Sequence, residues 1–571
     1  MRSIKPGLLI LLLFMAFGSM AQKVWKENLS KKQSFYWDFG KTQLQSIGSY
    51  YVDDLGATTL KHGKWKYYNE SNQLVEVRNY YKDQLHGQVL LKYGNGKNRQ
   101  EGYFVLDVQD SVYREWYENG QLNVEAMYDH GKLTGAKKTY YLDGRPQLEE
   151  EYRDSQVYVM QFWLPDSLHT QTLKDGNGEM TVFFNTGTLK QWFQYQDGLP
   201  HGEFVERSIY GHDLLRGKYE KGLKTDKWEY FYYTGKIEKV ANYVEGKLDG
   251  SYEYYYDNDQ VNVSGYYRSG LKDGKWTWYT KKGDRDMEGG FKEGKQDGKW
   301  TYWYPTGELS YTAEYKEDKK VGQWTYHYKD GSRFKKGSYE NDQKHGLWET
   351  WYENGKLLMK GNYEFGLEEG PWQNFWDNGN PKNESGFKKG KLHGKWTSYN
   401  PNGKLKLSGE YDMGQKSGEW MSYYDNGKPK ELIHYKVIKK KPKVSYGPMK
   451  DRVIYESERD GLYVSFSEKD YRKTEEGNYK AGKKEGTWTA YYPGGKYPAN
   501  TIEYKGGELH GTMKEFDRKG VIVTEIEYRN GLKHGSMKIF DRKGQVVKEK
   551  KFERGVEVIE GKSSGGFSPG N

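Results

Sequence analysis

The chain is organised around a repeat of 24 residues. A glycine, taken as position 0, recurs at this step through eight consecutive copies. These glycines are Gly250, Gly274, Gly298, Gly322, Gly346, Gly370, Gly394 and Gly418. With the copies on either side, 18 repeats can be aligned. A fixed period of this length indicates stacked supersecondary units rather than independent globular domains.

The residue types within each repeat predict a β-hairpin. Position +9 is glycine in 16 of the 18 repeats, and pairs such as Asn354-Gly355 are the strongest short-range hairpin signal. Aromatic residues fall at +2, +4 and +6, with tryptophan at +2 in ten repeats, and this period of two indicates one face of a strand. An aromatic residue at +17 in 17 repeats marks the return strand. The position-0 glycine is expected in a turn, and a further glycine at +20 is expected to start the link to the next hairpin.

One hairpin alone is not stable in water, so the hairpins must stack. Aromatic residues are 16% of the chain and all hydrophobic residues only 35%, which leaves too few aliphatic side chains for several thick cores. We therefore predict an all-β fold, an elongated single-sheet solenoid of about 18 or more stacked β-hairpins. The +2 and +17 rings are expected to pack against those of neighbouring repeats.

The repeats resemble a known family. The segments Tyr363-x-x-Gly366-x-x-x-Gly370-x-Trp372 and Tyr411-x-x-Gly414-x-x-x-Gly418-x-Trp420 are similar to MORN repeats, and most similar to the bacterial variant found in antitoxin-like repeat proteins. The resemblance extends over about residues 31–555. It implies stacked β-hairpins and an interaction role, with catalysis, where present, in a fused domain. Typical MORN repeats have glycine at +2, where this chain mostly has tryptophan.

The N-terminus is predicted to be a secretory signal peptide. Arg2 and Lys5 precede an uncharged apolar stretch at residues 8–17, and Ser19-Met20-Ala21 provides small residues for cleavage. The apolar stretch is shorter than the about twenty residues needed to span a bilayer. We expect an exported protein, periplasmic, cell-surface or secreted, with no transmembrane segment in the mature chain. Cysteine is absent, which excludes disulfides and thiol catalysis.

Six segments are predicted along the chain. They are the signal peptide at 1–21, degenerate N-terminal cap repeats at 22–62, MORN-like hairpin repeats at 63–436, a degenerate basic spacer or repeat at 437–485, C-terminal MORN-like repeats at 486–555 and a flexible tail at 556–571.

No catalytic, cofactor-binding or metal-binding residues are predicted, and we expect no enzyme activity. Histidine precedes position 0 in seven repeats, which raises the possibility of a ladder of metal ligands. These residues are His62, His86, His201, His345, His393, His510 and His534. The same slot holds Asp249 and Val321 in other repeats, and a slot that accepts valine is not a ligand slot. The histidines are therefore interpreted as turn residues.

The net positive charge of the chain is concentrated near the C-terminus. Residues 437–571 contain 28 basic and 20 acidic residues, including the run Lys439-Lys440-Lys441-Pro442-Lys443. An anionic envelope surface or an acidic partner would suit this charge, and a solvated linker is the simpler interpretation. Nucleic acid is not expected, because the chain is predicted to be exported and carries no nucleic-acid-binding motif.

Position +5 is predicted to face away from +2 and still carries aromatic rings. We call these residues the +5 stripe. They are Tyr279, Trp303, His327, Trp351, Phe375, Tyr399 and Tyr423. Exposed rings in a charged surround are typical of binding surfaces, whereas simple cross-strand packing would also account for them.

Three function classes stay open from the sequence. The first is a non-catalytic scaffold that binds another protein, with an antitoxin or immunity role as a special case. The second is a glycan or cell-envelope binder that uses exposed rings. The third, ranked last, is a hydrolase within residues 437–485, which is too short a segment for a separate enzyme fold.

Overall fold

The computed structural model describes residues 28–440 and 453–559. These residues form 43 β-strands and no helix, which confirms the predicted all-β class. Two compact units are present, Met1–Asp273 with Lys281–Gly283 and Gly274–Thr280 with Asp284–Asn571. The predicted signal peptide, part of the basic run and residues 560–571 lie outside the described residues.

The first unit is an antiparallel meander in which each strand pairs with the next along the chain. Its strands are β1 (Gln33–Tyr36), β2 (Leu44–Tyr50), β3 (Lys61–Tyr68), β4 (Leu74–Tyr81), β5 (Gln84–Lys92), β6 (Asn98–Val105), β7 (Val108–Trp116), β8 (Leu122–Asp129), β9 (Lys132–Tyr140), β10 (Pro146–Arg153), β11 (Gln156–Trp163), β12 (Gln171–Lys174), β13 (Asn177–Phe183), β14 (Leu189–Gln196), β15 (Leu199–Arg207), β16 (Asp213–Glu220), β17 (Leu223–Phe231), β18 (Ile237–Val244), β19 (Lys247–Tyr255) and β20 (Val261–Arg268).

The second unit repeats this arrangement. Its strands are β21 (Leu271–Tyr279), β22 (Arg285–Lys292), β23 (Lys295–Trp303), β24 (Leu309–Lys316), β25 (Lys319–His327), β26 (Arg333–Glu340), β27 (Gln343–Trp351), β28 (Leu357–Glu364), β29 (Leu367–Phe375), β30 (Pro381–Lys388), β31 (Lys391–Tyr399), β32 (Leu405–Asp412), β33 (Gln415–Tyr423), β34 (Pro429–Lys440), β35 (Ile454–Phe466), β36 (Lys473–Lys480), β37 (Lys483–Tyr491), β38 (Pro498–Lys505), β39 (Glu508–Phe516), β40 (Ile522–Arg529), β41 (Leu532–Phe540), β42 (Val546–Glu553) and β43 (Val556–Val558).

Two different turns alternate along each unit. After β23, the N–H of Gly307 donates to the carbonyl of Tyr304, and this turn contains the predicted +9 glycine. After β24, Glu317 and Asp318 form a two-residue turn with φ of 51° and 67°. Positive φ at both positions is the type I′ geometry, which matches the twist of the flanking strands. Position +20 is therefore the second residue of this tight turn.

The position-0 glycine lies inside a strand, which corrects the prediction that it forms a turn. Gly346 is the fourth residue of β27 and has a φ of 70°. Opposite it, the register of β26 shifts between Lys336 and Ser338, so the repeat contains a β-bulge. Ser111 and Asp226 occupy position 0 in two repeats and also have positive φ, 62° and 56°. Glycine is favoured at the bulge, because other residues rarely adopt this conformation.

The sequence predicts that +2, +4 and +6 share one face of a strand. In the structure, +2 and +4 do so, but the strand ends at +5 and position +6 lies outside it. Position +6 begins the longer turn, and its tyrosine hydroxyl donates to the backbone carbonyl at +5 of the next repeat. Such bonds join Tyr93 to Trp116, Tyr117 to Tyr140, Tyr232 to Tyr255, Tyr304 to His327, Tyr328 to Trp351 and Tyr352 to Phe375. Turn asparagines at +8 make a parallel set of bonds, from Asn95 to Glu118, Asn119 to Leu142, Asn354 to Asp377 and Asn378 to Pro401.

We expect Gly379→Val to destabilise the protein more than Asn378→Ser. Gly379 has a φ of 91°, where an L-residue pays about 1–2 kcal/mol and a β-branched one more. Asn378→Ser removes the side-chain bond to the carbonyl of Pro401, worth about 0.5–1.5 kcal/mol. Urea denaturation of the two variants measures the difference. Equal losses would show that the positive φ at this turn has no energetic weight.

Segments predicted as degenerate continue the strand pattern. Residues 22–62 contain β1 and β2, and residues 437–485 contain β35, where Gly461 has a φ of 111° and pairs with Tyr479. The segment predicted as a flexible tail begins instead with strand β43. This strand pairs with β42, with Val558 opposite Lys551, because valines at alternate positions favour an extended backbone.

Candidate functional site

The tryptophans at +2 form the packed face of the sheet. Trp348 is only 1% exposed. The ring of Tyr339, at +17 of the preceding repeat, meets it edge-on with centroids 5.2 Å apart. Its indole N–H donates to the carbonyl of Ser338 at 3.1 Å, next to the bulge. Equivalent indole bonds are made by Trp65, Trp228, Trp372, Trp420 and Trp488.

A small residue at +15 makes room for the tryptophan of the next repeat, and this role was not predicted from the sequence. A Cβ added to any of seven glycines at this position would lie 2.0–2.3 Å from a tryptophan ring carbon. The glycines are Gly48, Gly217, Gly289, Gly337, Gly361, Gly409 and Gly477. Ala313 occupies the same position beside Trp324. The recurring signal was present in the sequence as a small residue 15 positions after the bulge.

A lysine at −2 covers the tryptophan in at least six of the described repeats. Its ammonium lies 3.7–5.2 Å from the centroid of the tryptophan ring and 4.6–5.5 Å from that of the +17 ring of the same repeat. We call this arrangement the lysine-capped slot. It occurs with Lys61, Lys224, Lys320, Lys344, Lys416 and Lys484. Burial against the rings lowers the pKa of Lys224 below its ordinary value.

The side chain at position −1, immediately before the bulge, binds the tight turn of its repeat. In several repeats this side chain accepts a hydrogen bond from the backbone N–H at +19, as Asp249 does from Ser269 at 2.8 Å and Glu369 from Lys389 at 2.7 Å. His62 plays the same part through Nδ1, which accepts from Lys82 at 3.3 Å. The seven histidines lie within strands and not in turns, which corrects the prediction that they are turn residues, and His62 contacts the neighbouring tight turn through this bond.

One group of side chains in the described residues has the spacing of a metal site. Asp110, Asp129 and His130 place one potential ligand atom each within 4.8 Å of one another. Asp110 already accepts from the backbone N–H of His130, and His130 Nδ1 lies 2.5 Å from Asp129. Asp129 and His130 are exposed, and the contacts already made are those of a surface turn.

We expect the first unit to lose stability near His62 as the pH falls. Burial, and then the charge of Lys82, lower the pKa of His62 below its ordinary value of 6.5. The folded state therefore binds this proton less readily than the unfolded chain. The loss begins near pH 6.5 and continues until the lowered pKa is passed. Amide hydrogen exchange in β3 and β4 between pH 8 and pH 5 measures the effect.

His62→Asp is the matched control, because Asp249 fills the same slot in another repeat and accepts the same type of bond. The carboxylate remains an acceptor through this pH range, so the exchange profile should become flatter, whatever the absolute stability of the variant. His86 is half-buried, and this burial lowers its pKa as well. Its contribution to the pH dependence is the same in the wild type and in His62→Asp. An unchanged pH dependence in His62→Asp would contradict the assignment.

The predicted +5 stripe lies on the face opposite the packed tryptophans, at the last residue of the outgoing strand. All seven side chains are half-buried, so none is a freely projecting ring. Arg285 lies over Trp303 at 5.9 Å and Arg333 over Trp351 at 5.0 Å. Two tryptophans of the stripe therefore have an arginine side chain over the ring.

The tyrosines and the histidine of the stripe have polar contacts. The hydroxyl of Tyr399 donates to Glu384 at 3.3 Å, and that of Tyr423 lies 3.3 Å from the hydroxyl of Ser408. His327 Nδ1 lies 3.1 Å from the carbonyl of Gly331. Tyr279 and Phe375 occupy the equivalent strand ends of β21 and β29. The stripe therefore combines cross-strand packing with partly accessible ring surface.

An open cleft lies beside the long hairpin β34–β35. Its volume is about 700 Å³, and its apolar lining includes Met413, Val437, Ile454 and Tyr455. Gln415 ties the hairpin to β33, because its side-chain carbonyl accepts from the N–H of Ser457 at 3.1 Å. The cleft exists because β34 and β35 are 12 and 13 residues long, whereas most strands have 8 or 9.

The family model for the MORN repeat variant matches the chain at eight places. They are residues 61–83, 109–130, 296–317, 344–364, 368–389, 392–413, 416–436 and 509–530. The protein is a MORN-repeat protein of the variant type. Each match begins near the lysine-capped slot or its equivalent and runs to the tight turn of the repeat, so the MORN unit coincides with one bulged hairpin.

Comparison with solved structures gives matches of low similarity. A crystal structure of TcdB2-TccC3-Cdc42 shares 9% identity over 87% of this chain and 30% of that chain, with a TM-score of 0.12. The Photorhabdus luminescens Tc holotoxin pore with the mutation TccC3-D651A shares 10% identity over 91% of this chain and 35% of that chain, with a TM-score of 0.12. This MORN protein thus spans about a third of the length of the toxin chains it matches.

A third match is choline binding protein F from Streptococcus pneumoniae, with 17% identity over 60% of this chain and 98% of that chain and a TM-score of 0.12. No curated protein sequence matches the chain. Within the described ranges, no helix has the length and apolar character needed to cross a membrane.

Proposed function

We propose that this MORN-repeat protein is an exported, non-catalytic scaffold that binds a protein partner through the +5 stripe. The proposal rests on the difference between the two faces of the sheet, one of which is packed while the other keeps aromatic surface accessible. The tryptophans at +2, the small residues at +15 and the lysines at −2 complete the packing of one face. The rings at +5 are on the other face and keep part of their surface accessible.

The composition of the stripe favours a protein over a glycan. Tryptophan, tyrosine and arginine are the residue types enriched at the energetic centres of protein interfaces. The pairs Arg285–Trp303 and Arg333–Trp351 supply such a combination two repeats apart. Successive repeats contribute two strands each, about 10 Å along the sheet, which suits an extended partner segment.

Two finer statements belong to the same proposal. An antitoxin or immunity role is one form that binding of a protein partner can take. The basic residues beyond 437 would favour an acidic partner or an anionic envelope surface, through long-range electrostatic attraction. A glycan ligand is tested as the competing outcome of the experiment below.

The experiment replaces Trp303, Trp351 and Tyr399 by serine together. The matched control replaces Lys299, Leu347 and Lys395 by serine, because these are exposed residues of the same three repeats on the same face. Partner capture is measured by cross-linking and mass spectrometry on intact cells, and glycan capture by co-sedimentation with purified cell-wall material. Thermal melting is followed in parallel.

We expect the stripe variant to lose capture of the protein partner while its melting temperature stays close to that of the control. A fall in melting temperature of many degrees would assign the rings to the structural core and overturn the proposal. Loss of sedimentation with cell-wall material, with protein cross-links unchanged, would replace the protein partner by a glycan.

A further inference from the structure

In at least six of the described repeats, the tryptophan at +2 and the ring at +17 hold a lysine ammonium group, which shows the chemical preference of this pair of rings. In each slot an ammonium group rests on the tryptophan at +2 and the ring at +17 of one repeat. The aromatic faces attract a cation through their quadrupoles. The chain's own lysines therefore show what kind of group this pair of rings accommodates.

One repeat has the rings but a carboxylate in place of the lysine. In the repeat that begins at Gly370, position −2 is Glu368, while Trp372 and Phe387 retain the usual edge-on arrangement at 5.4 Å and 61°. Trp372 is 7% exposed, against 1% for the capped Trp348. Its indole bond to the carbonyl of Asn362 is kept at 3.1 Å, so the ring holds its normal position.

We propose that Glu368, Trp372 and Phe387 form a receptor slot for the ammonium group of a lysine side chain from a partner protein. The rings supply the cation-binding surface, and the carboxylate supplies the opposite charge that the six sister slots lack. Within the described residues, no ion pair of 4.0 Å or less satisfies Glu368. The capping lysine of the preceding repeat, Lys344, lies over Trp348 and Tyr363.

Two other uncapped repeats show why the carboxylate matters. Position −2 is Gln296 before Trp300 and Leu392 before Trp396. Trp300 is covered by further rings, including Tyr302 at 6.1 Å, and is 1% exposed. Trp396 is half-buried but has an apolar leucine at −2. Among the described tryptophans at +2, the one beside Glu368 therefore combines the absence of a lysine cap with a group that favours a cation.

A lysine fits the slot better than a free anion or a neutral ligand. The Oε2 of Glu368 lies 3.5 Å from the position that a Cβ at Gly390 would take, so the carboxylate stands at the tight-turn edge of the sheet. A lysine that enters from this edge would lay its aliphatic stem along the rings and place its ammonium beside the carboxylate. This inference is independent of the +5 stripe, because positions −2 and +2 lie on the opposite face.

The test uses the full-length protein labelled with 5-fluorotryptophan. The resonance of Trp372 is assigned with Trp372→Phe, and those of the capped Trp348 and Trp420 with the equivalent changes. N-acetyl-lysine methylamide is titrated at constant ionic strength, with N-acetyl-norleucine methylamide as the neutral probe and tetramethylammonium chloride as the free cation. We expect a saturable shift of the Trp372 resonance with the lysine probe and none with the norleucine probe.

Three variants complete the test. Glu368→Lys should abolish the shift, because the new lysine caps its own slot as in the sister repeats. Glu368→Gln should weaken apparent affinity roughly two- to fivefold, the range of a solvent-accessible ion pair. Glu364→Lys makes the same charge change on an exposed residue of the other face and should leave the titration unchanged.

Several outcomes would overturn the inference. These are no shift at Trp372, equal shifts at Trp348 and Trp420, and equal responses to the lysine and norleucine probes. A shift with tetramethylammonium but not with the lysine probe would reject a partner lysine and assign the slot to a small free ammonium compound.

Discussion

Replacement of Trp348 by alanine should lower the free energy of unfolding of the second unit by about 3–5 kcal/mol. The side chain is 1% exposed, and it contacts the ring of Tyr339, the ammonium of Lys344 and the carbonyl of Ser338. Alanine leaves a cavity between two repeats and leaves the Ser338 carbonyl without the indole donor. Urea denaturation, followed by the remaining tryptophan fluorescence, measures the loss.

Trp351→Ala is the matched control. Trp351 is three residues further along the same strand, lies on the opposite face and is half-buried. Its truncation removes a contact with Arg333 and should cost about 1 kcal/mol or less. Equal losses for the two variants would contradict the division between a packed face and a partly accessible face.

The loss at Trp348 should also be local. In repeat proteins the stability is approximately a sum of units and nearest-neighbour interfaces, so distant repeats are little affected. Hydrogen exchange in the Trp348→Ala variant should therefore accelerate first in β26, β27 and β28. Uniform acceleration through the second unit would show that its repeats unfold together.

The period and the spacing of aromatic residues were enough to predict the strands and the packed face. Tryptophan at +2 and tyrosine at +17 recur at fixed positions, and large apolar side chains at a period of two leave few other solutions. The position-0 glycine was misassigned to a turn. A glycine with positive φ serves a turn and a strand bulge equally well, and only the pairing of Lys336 and Ser338 with the opposite strand distinguishes them.

Lysine at −2 and the small residue at +15 were missed for different reasons. A lysine is normally a solvated surface residue, and its role appears only when the stem is seen lying over a ring, as Lys484 does above Trp488 at 3.7 Å. Position +15 is glycine, alanine or serine in the repeats that precede a tryptophan at +2, whereas other repeats have residues such as Arg78 or Ile526 there. In a sequence, such a small residue resembles a break in the strand pattern. Its function depends on a tryptophan in the next repeat, so it is a property of stacking and not of one hairpin.

The partner-binding surface is less predictable than the fold for a physical reason. Stability constrains one face of each repeat strongly, because each tryptophan must fit a glycine, a tyrosine and a carbonyl. The opposite face is constrained by solubility and by its ligand alone. Both proposed sites are therefore identified as departures from the repeat pattern. The +5 stripe has aromatic rings where packing requires none, and the Glu368 slot has a carboxylate where the repeat normally has a lysine.

The second large effect is expected at Gly337, where valine should destabilise the second unit by about 1–3 kcal/mol. A Cβ at this position would lie 2.1 Å from Cδ2 of Trp348, and valine adds two methyl groups to that Cβ. The backbone here does not have positive φ, so the cost is steric and not conformational. Ser338→Val, the next residue on the other face, adds a β-branched side chain without this clash and should be nearly neutral.

Gly337→Ala should be intermediate, because the chain already contains that case. Ala313 lies beside Trp324, and the indole N–H of Trp324 donates to Val321 in its own strand at 3.2 Å instead of to the preceding strand. The alanine variant should turn Trp348 in the same way and lose its bond to Ser338, at a cost of about 0.5–1.5 kcal/mol. Denaturation midpoints should therefore fall in the order wild type, alanine, valine. If valine were tolerated as well as alanine, the small residue at +15 would not be what admits the tryptophan of the next repeat.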